Sequence, residues 1–377
     1  MVSQPQSPPG LDDLRIEGGL CYVMFAYDGA RSINLEEAGQ RLHETTERRT
    51  IPHKRRAPSY FEYQPPPLRI SHESEPLRIG SFQTRPTVDL LLYDFGALAA
   101  TYTIALEGPF DRLLQLSEEL YDNATLLADS RKRVDQLLKI IGDAATFANL
   151  APVVEDYIVF HVESLSRPID ASPFCRDYCR QIAQILRAER RPLSDQEAEE
   201  TVAAKMSYGV DDLVIVDWNA ALLIDREGED VREVLQFANV ELLEMRYLDQ
   251  KLDGALDRAY ETLSQRRGLI RRFGRHRTRL RAIAELQVDN ATLFEGVNNA
   301  LKLLGDQYLA RAYQLVSRRL HLDEWDSSIL RKLQTLDSIY QKMSDLAAHR
   351  RMEVLEWIII ILFAFSIILE IANLRHP

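Results

Sequence analysis

The chain ends in Trp357-Ile358-Ile359-Ile360-Ile361-Leu362-Phe363-Ala364-Phe365-Ser366-Ile367-Ile368-Leu369, the most apolar stretch of the sequence. A helix from Val354 to Leu374 would be roughly 31 Å long at about 1.5 Å per residue, enough to cross the hydrocarbon core of a bilayer. The carboxylates Glu356 and Glu370 lie near its two ends, where a charge costs less than at the midplane. The sequence therefore predicts a transmembrane helix over 354–374. A hydrophobic helix buried in the core of an oligomer is the alternative.

The two glutamates, Glu356 and Glu370, lie on one side of this predicted helix. They are nearly four turns apart and differ by only about 40° around the helix axis. Ile359, Phe363 and Ser366 fall on the same stripe. Since polar groups in membrane spans normally face protein or water, the stripe predicts a helix–helix seam within an oligomer. The alternative is that both carboxylates reach the lipid headgroups without facing a partner.

The flanks of the apolar stretch predict where the protein is located. Arg350 and Arg351 precede it and are typical of the cytoplasmic side of a span. The N-terminus, 1–10, is rich in Pro, Ser and Gln and lacks the apolar region of a signal peptide. We therefore expect a single-pass, tail-anchored protein in the inner (plasma) membrane, with its N-terminal domain in the cytoplasm.

Composition narrows the classes of function. The 377 residues carry a formal net charge of −11, which argues against general nucleic-acid binding by the whole chain. Cys21, Cys175 and Cys179 cannot form a disulfide framework and suit a reducing compartment. Cys175 and Cys179 lie one helical turn apart without a matching Cys/His pair, so buried thiols are favoured over a metal site. No cofactor is predicted.

The sequence of the N-terminal part predicts two similar cycles, each consisting of a strand, a helix, a strand-turn-strand hairpin and a helix. Together they predict an α+β fold with a duplicated β-α-β-β-α domain over 20–228, after a disordered start at 1–19. A Pro/Arg-rich insert occupies 50–87. The predicted strands are 20–27, 88–93 and 98–106 in the first cycle, and 157–162, 213–216 and 220–224 in the second.

The two predicted hairpin tips resemble each other, Tyr93-Asp94-Phe95-Gly96-Ala97 against Val216-Asp217-Trp218-Asn219-Ala220. Gly96 and Asn219 are the residue types that best tolerate positive φ in a tight turn. Paired aspartates can bind metals, but an Asp before an aromatic residue in a turn usually caps its own backbone. We therefore expect Asp94 and Asp217 to be capping residues.

The second half, 229–353, shows apolar residues at alternating steps of three and four. This spacing predicts a long helical hairpin or coiled coil. The seams are Val231, Leu235, Ala238, Leu242, Met245, Leu252, Leu256, Ala259 and Leu263; then Leu286, Leu293, Val297, Leu301, Leu304, Tyr308, Ala312 and Leu315; then Ile329, Leu333, Leu336, Tyr340, Met343 and Ala347.

The densest positive charge, at 266–281, lies between the first two seams. Attraction to anionic headgroups stabilises each basic residue at a membrane surface by about 1 kcal/mol. The run therefore predicts a membrane-lipid contact through Arg271, Arg272, Arg275 and Arg277. RNA is the rival partner, and a solvated charged loop is the third interpretation.

The final motif, Leu355-Glu356-Trp357-Ile358-Ile359-Ile360 with Ile368-Leu369-Glu370, supports a family resemblance, together with Asp217-Trp218-Asn219 and the helix containing Trp325, Leu336 and Tyr340. The pattern resembles the "required for meiotic nuclear division" or sporulation Rmd-type family, an uncharacterised-domain family. The resemblance implies an integral membrane protein with one C-terminal span, here as a bacterial member. It supplies no catalytic residues.

No enzymatic motif accompanies these features. The chain lacks a P-loop, a G-x-S-x-G elbow, a zinc motif and a dinucleotide-binding fingerprint. We expect a non-enzymatic, tail-anchored membrane protein that acts as a homo-oligomeric scaffold or adaptor for an unidentified protein partner. The alternatives are a subunit of an oligomeric ion channel or transporter, and an enzyme acting on a nucleotide or lipid at the membrane.

Overall fold

The computed structural model describes residues 14–46, 66–264 and 307–373, which form a mixed α+β fold, as predicted. The helices are α1 (Leu35–Thr46), α2 (Arg112–Leu120), α3 (Ala124–Ile141), α4 (Ala171–Asp177), α5 (Cys179–Arg187), α6 (Asp195–Thr201), α7 (Glu229–Ser264), α8 (Gln307–Arg319) and α9 (Leu322–Asn373).

The strands form one ten-stranded mixed sheet and a separate two-stranded sheet. Their bounds are β1 (Arg15–Asp28), β2 (Ser32–Ile33), β3 (Leu68–Glu73), β4 (Arg78–Ile79), β5 (Phe82–Leu92), β6 (Ala97–Ala105), β7 (Gly108–Pro109), β8 (Ala145–Thr146), β9 (Glu155–Leu165), β10 (Lys205–Met206), β11 (Leu213–Val216) and β12 (Ala220–Ile224). The large sheet has the order β10-β11-β12-β9-β1-β6-β5-β3, with β4 beside β5 and β7 beside β1, while β2 pairs with β8.

The long strand β1 lies at the centre of the large sheet, between β9 and β6. Successive side chains of a strand point to opposite faces, so its apolar run supplies two cores. Cys21 and Phe25 belong to the core cluster that also contains Val134 of α3 and Ile182 of α5. Helices from the first two-thirds of the chain therefore cover this face of the sheet.

The opposite face of the sheet is covered by the first half of α7. The side-chain amide of Gln236 donates a hydrogen bond to the hydroxyl of Thr101 on β6 at 3.2 Å. The amide of Asn239 donates to the backbone carbonyl of Glu155 on β9 at 3.3 Å. The result is a layered arrangement of helices, sheet and helix, in which α7 runs across several strands.

Both predicted hairpins are present, but they are attached to the sheet in different directions. β6, the second strand of the first hairpin, pairs antiparallel with β1. β12, the second strand of the second hairpin, pairs parallel with β9. A simple duplication would give both hairpins the same direction relative to the strand that begins each cycle. The topology therefore argues against the predicted duplication of a β-α-β-β-α unit.

The two hairpin tips also differ in backbone conformation. Gly96 has a φ of 105°, and a Cβ there would collide with the carbonyl oxygen of Ala30. The prediction of positive φ is thus confirmed for Gly96, where only glycine fits. Asn219 does not adopt positive φ, so the prediction is wrong for the second tip.

The chain divides into two compact units. Among the described residues, the first unit holds everything up to Tyr247 together with 307–326, and the second holds 248–264 and 327–373. In the second unit, Lys332 of α9 forms ion pairs with Asp249 at 2.7 Å and Asp253 at 2.6 Å, both on α7. Apolar residues of the first and third predicted seams are buried there, including Leu252, Ala259, Leu333 and Leu336.

The prediction of a transmembrane helix is wrong. Within 14–46, 66–264 and 307–373, no helix combines the length and the apolarity that crossing a bilayer requires. The charge-free run 357–369 is shorter than the about 20 residues of a span, and Glu356 and Glu370 bound it on both sides. The predictions of a tail anchor, of a single-pass membrane protein and of a location in the plasma membrane are overturned by the same finding.

Candidate functional site

The segment 355–367 of α9 is exposed along its whole circumference. On the predicted stripe, Ile359 is 52% exposed and Phe363 is 66% exposed, and Glu356 and Ser366 are exposed as well. Glu370 lies in the same helix. Ile361, on the side of the helix away from Ile359, is 62% exposed. The stripe therefore lies on one continuous helix, and its predicted role as a seam stays a prediction.

An apolar helix surface of this size is unusual for a protein in water. Single exposed apolar residues are common, but a contiguous apolar surface typically marks a binding site. A helix that is hydrophobic all round is normally buried on all sides. The exposed segment of α9, 355–367, is here called the apolar end.

The other predicted contact site cannot be placed. Arg271, Arg272, Arg275 and Arg277 lie outside the described residues, so their predicted contact with membrane lipids or RNA stays a prediction. In the part of the chain that the structure describes, no group of three or more His, Cys, Asp or Glu side chains is arranged to hold a metal ion. Cys21 and Cys175 are buried and Cys179 is half-buried, all as free thiols.

A buried polar network joins the start of α7 to the sheet. Arg232 is only 4% exposed, and its guanidinium lies over the ring of Tyr22 at 4.9 Å. The same guanidinium donates to Glu229 at 3.1 Å and to Glu233 at 3.2 Å. The hydroxyl of Tyr22 donates to the other carboxylate oxygen of Glu229 at 2.5 Å. Two carboxylates on α7 thus flank one buried arginine.

The network extends to two more strands. Arg69 on β3 donates to Glu233 at 2.5 Å. Arg232 also donates to the side-chain oxygen of Gln236 at 3.0 Å, and Gln236 in turn donates to Thr101. Arg69, Arg232 and Gln236 each donate to an acceptor within the set, and such pairing is the condition under which buried polar groups are tolerated.

The network also changes the ionisation of its members. Burial acts to raise the pKa of Glu229, but the charge of Arg232 and the hydrogen bond from Tyr22 outweigh burial and hold the pKa below its ordinary value. Burial and the hydrogen bond to Glu229 raise the pKa of Tyr22 well above its ordinary value. Glu229 is therefore a carboxylate and Tyr22 a neutral hydroxyl at neutral pH.

His161 lies beside this network on β9. Its ring stacks on Tyr22 with the centroids 6.4 Å apart, and its Nε2 is 2.9 Å from the backbone carbonyl of Asp225. Its Nδ1 is buried and has no hydrogen-bond partner among the described residues. Because a carbonyl oxygen only accepts, the ring donates to it through its Nε2–H.

A second charged group is built around Asp217, at the tip of the β11–β12 hairpin. Its side chain is 1% exposed and forms an ion pair with Nε of Arg187 on α5 at 2.7 Å. Nε of Arg319 on α8 donates to the other carboxylate oxygen at 3.0 Å. Tyr157 donates to the backbone carbonyl of Asp217 at 2.9 Å. The carboxylate thus links one helix on each side of the sheet.

This geometry decides between the two predicted capping residues. The backbone N–H of Phe95 donates to the side chain of Asp94 at 3.0 Å, so the prediction is confirmed for Asp94. The prediction is wrong for Asp217, whose carboxylate binds two arginines instead. These partners are distant in sequence, so the local turn pattern contains no signal for them.

One pattern in the sequence of α7 indicates the buried network. Arg232, Gln236 and Asn239 are polar residues at helical spacing within an apolar seam, and all three are buried. Polar residues at such positions indicate a polar contact with another element. The partners on β1, β3 and β6 could be identified only from the tertiary fold.

Comparisons with known proteins assign the N-terminal part of the chain to a family. The family described as "Uncharacterized protein MJ0711, N-terminal domain" matches residues 18–230, more than half of the chain. The uncharacterised protein MJ0711 of Methanocaldococcus jannaschii is 23% identical over 265 residues, which are 70% of this chain and 74% of that protein. No solved structure matches the chain.

The expected membership of the Rmd-type sporulation family is wrong, because these matches show a different family. The family that matches is a different one, and its match covers the sheet and the helices up to the start of α7. The resemblance depended most on the apolar residues at the C-terminus, 355–370. Short apolar motifs recur in unrelated helices because few residue types satisfy them.

Proposed function

We propose that this chain, which belongs to the family of the MJ0711 N-terminal domain, is a non-enzymatic scaffold that assembles by self-association. The observation that carries the proposal is the exposure of the apolar end of α9, where Trp357 is 65% exposed and Phe365 is 60% exposed. Water-exposed apolar surface of this extent favours association, because each Å² removed from water contributes about 25 cal/mol.

The partner we propose for the apolar end is the same segment of further copies. A groove on a single partner would cover one side of the helix, whereas this helix is apolar on all sides. In a bundle of identical helices, each helix covers its neighbours, and closed symmetric assemblies are the common form of such self-association.

The predicted stripe would give the bundle its register. Ser366 is small and allows close approach of two helices, while Ile359 and Phe363 supply apolar contact. Glu356 bounds the contact at its N-terminal end, where it remains hydrated. The predicted coiled-coil association of the helical second half is part of the same proposal, since seam residues of α9 lead directly into the apolar end.

Self-association is tested by replacing two residues of the apolar end with lysine. We expect the full-length protein to be an oligomer, and Ile359→Lys combined with Phe363→Lys to be a monomer, since two buried ammonium groups are not tolerated in an apolar bundle. The measurement is the molar mass by light scattering over a range of concentrations. The matched control is Phe147→Lys with Val210→Lys, which changes two apolar residues that are 78% and 74% exposed outside α9.

Cysteine crosslinking tests the stripe separately. In a Cys179→Ser background, Ile359→Cys, Phe363→Cys and Ser366→Cys should crosslink between copies more readily than Ile361→Cys and Phe365→Cys. Equal crosslinking at all five positions would refute the stripe but leave self-association intact. A full-length protein that stays monomeric at every concentration would refute the proposed function itself.

A further inference from the structure

We propose that Glu241 is a proton-operated latch, which holds α7 against α8 and the start of α9 when it is protonated and releases them when it is ionised. Glu241 is 3% exposed and lies in the second half of the α7 segment that belongs to the first unit. This latch is a regulatory feature independent of the proposed self-association.

The latch is built from two buried side chains that meet between α7 and α8. The hydroxyl of Tyr313 on α8 donates to a carboxylate oxygen of Glu241 at 2.7 Å, and Tyr313 is itself 7% exposed. Ser317, one turn further along α8, is also buried and contacts Tyr313. The contact therefore connects α7 and α8 at a place without access to water.

The charged groups that act on Glu241 are acidic. Asp323 and Asp326, both in the first turns of α9, disfavour its negative charge. Asp326 has one buried carboxylate oxygen without a hydrogen-bond partner among the described residues. An ionised Glu241 would thus add a third negative charge to this region, with the Tyr313 hydroxyl as its hydrogen-bond donor.

These surroundings set the pH range of the latch. Burial, together with Asp323 and Asp326, raises the pKa of Glu241 from 4.5 to about 8, although the hydrogen bond from Tyr313 acts in the opposite direction. A carboxyl group whose pKa is raised by folding binds a proton more tightly in the folded state. Its contribution to stability is therefore complete below pH 4.5 and is lost as the pH rises to about 8.

The test compares the full-length protein with Glu241→Gln, which keeps the shape of a protonated carboxyl group but cannot ionise. Between pH 5 and pH 8, the folding equilibrium constant of the wild type relative to the variant should fall by about tenfold per pH unit. Urea unfolding at each pH measures this ratio. Above pH 8, hydrogen exchange in α8 should be faster in the wild type than in Glu241→Gln at the same pH.

Two further variants fix the direction of the effect. Asp326→Asn removes a negative charge and should move the midpoint of the pH dependence to lower pH. Tyr313→Phe removes the donor that favours the ionised form and should move the midpoint to higher pH. The latch is refuted if Glu241→Gln keeps the pH dependence of the wild type, or if the Asp326→Asn midpoint lies at or above the wild-type value.

Discussion

Asp217→Ala should lower the free energy of unfolding by about 3–5 kcal/mol, because it leaves two arginines without their buried carboxylate. Arg319 retains 12% side-chain exposure and Arg187 retains 29%, so Arg319 is expected to contribute more of the loss. The measurement is urea unfolding followed by far-UV circular dichroism. The hairpin backbone stays intact in the variant, since Tyr157 binds the carbonyl and not the side chain of Asp217.

Asp143→Ala is the matched control for Asp217→Ala. Its side chain is fully exposed and lies 3.9 Å from Arg41, so its replacement should change stability by less than about 0.5 kcal/mol. Arg319→Ala measured alone and together with Asp217→Ala gives the coupling between the two side chains. Additive losses would show that the ion pair does not connect the hairpin to α8.

Arg232→Ala is expected to cause a loss of similar size, about 3–5 kcal/mol. The substitution removes a 4% exposed guanidinium and leaves Glu229 and Glu233 near each other without the cation between them. Because Glu229 loses the charge that lowers its pKa and can take up a proton, the loss should be smaller at acidic pH than at neutral pH. Urea unfolding at several pH values measures both effects.

A charge-free replacement separates two explanations of this loss. Arg69→Met and Arg232→Met combined with Glu229→Gln and Glu233→Gln remove both cations and both anions together, and the combination should recover a large part of the stability. Arg176→Ala is the control, since Arg176 is 75% exposed and pairs with its neighbour Asp177. If the quadruple variant is as unstable as Arg232→Ala, packing of the arginine side chain and not charge balance is the main contribution.

Local sequence patterns predicted the positions of the strands well, but they predicted the direction of strand pairing in the sheet poorly. The continuous apolar run of β1 and the turn around Gly96 are sufficient to identify a strand and a hairpin. Whether β12 joins β9 in the parallel or antiparallel sense depends on the helices between them, which no short-range pattern records. Similarity between two hairpin tips therefore suggested a repeat that the strand directions contradict.

The candidate sites, too, could be predicted from the sequence only in part, and the physical reason differs from one site to the next. The apolar end of α9 is visible in sequence, because its signal is a contiguous run of residues. Whether that run spans a membrane depends on its length and on flanking charges such as Glu356, and apolarity alone does not decide it. The buried groups around Asp217, Arg232 and Glu241 depend on partners brought together by the fold, so a single sequence cannot specify them.

The central position of β1 has a consequence for the order of events during synthesis. β1 is the first strand to be made, yet both of its long neighbours come later, β6 at 97–105 and β9 at 155–165. Until the ribosome has passed Leu165, at least one edge of a long apolar strand lacks its partner. Such an edge is a template for pairing with other chains, so the nascent protein is most prone to aggregate during this interval.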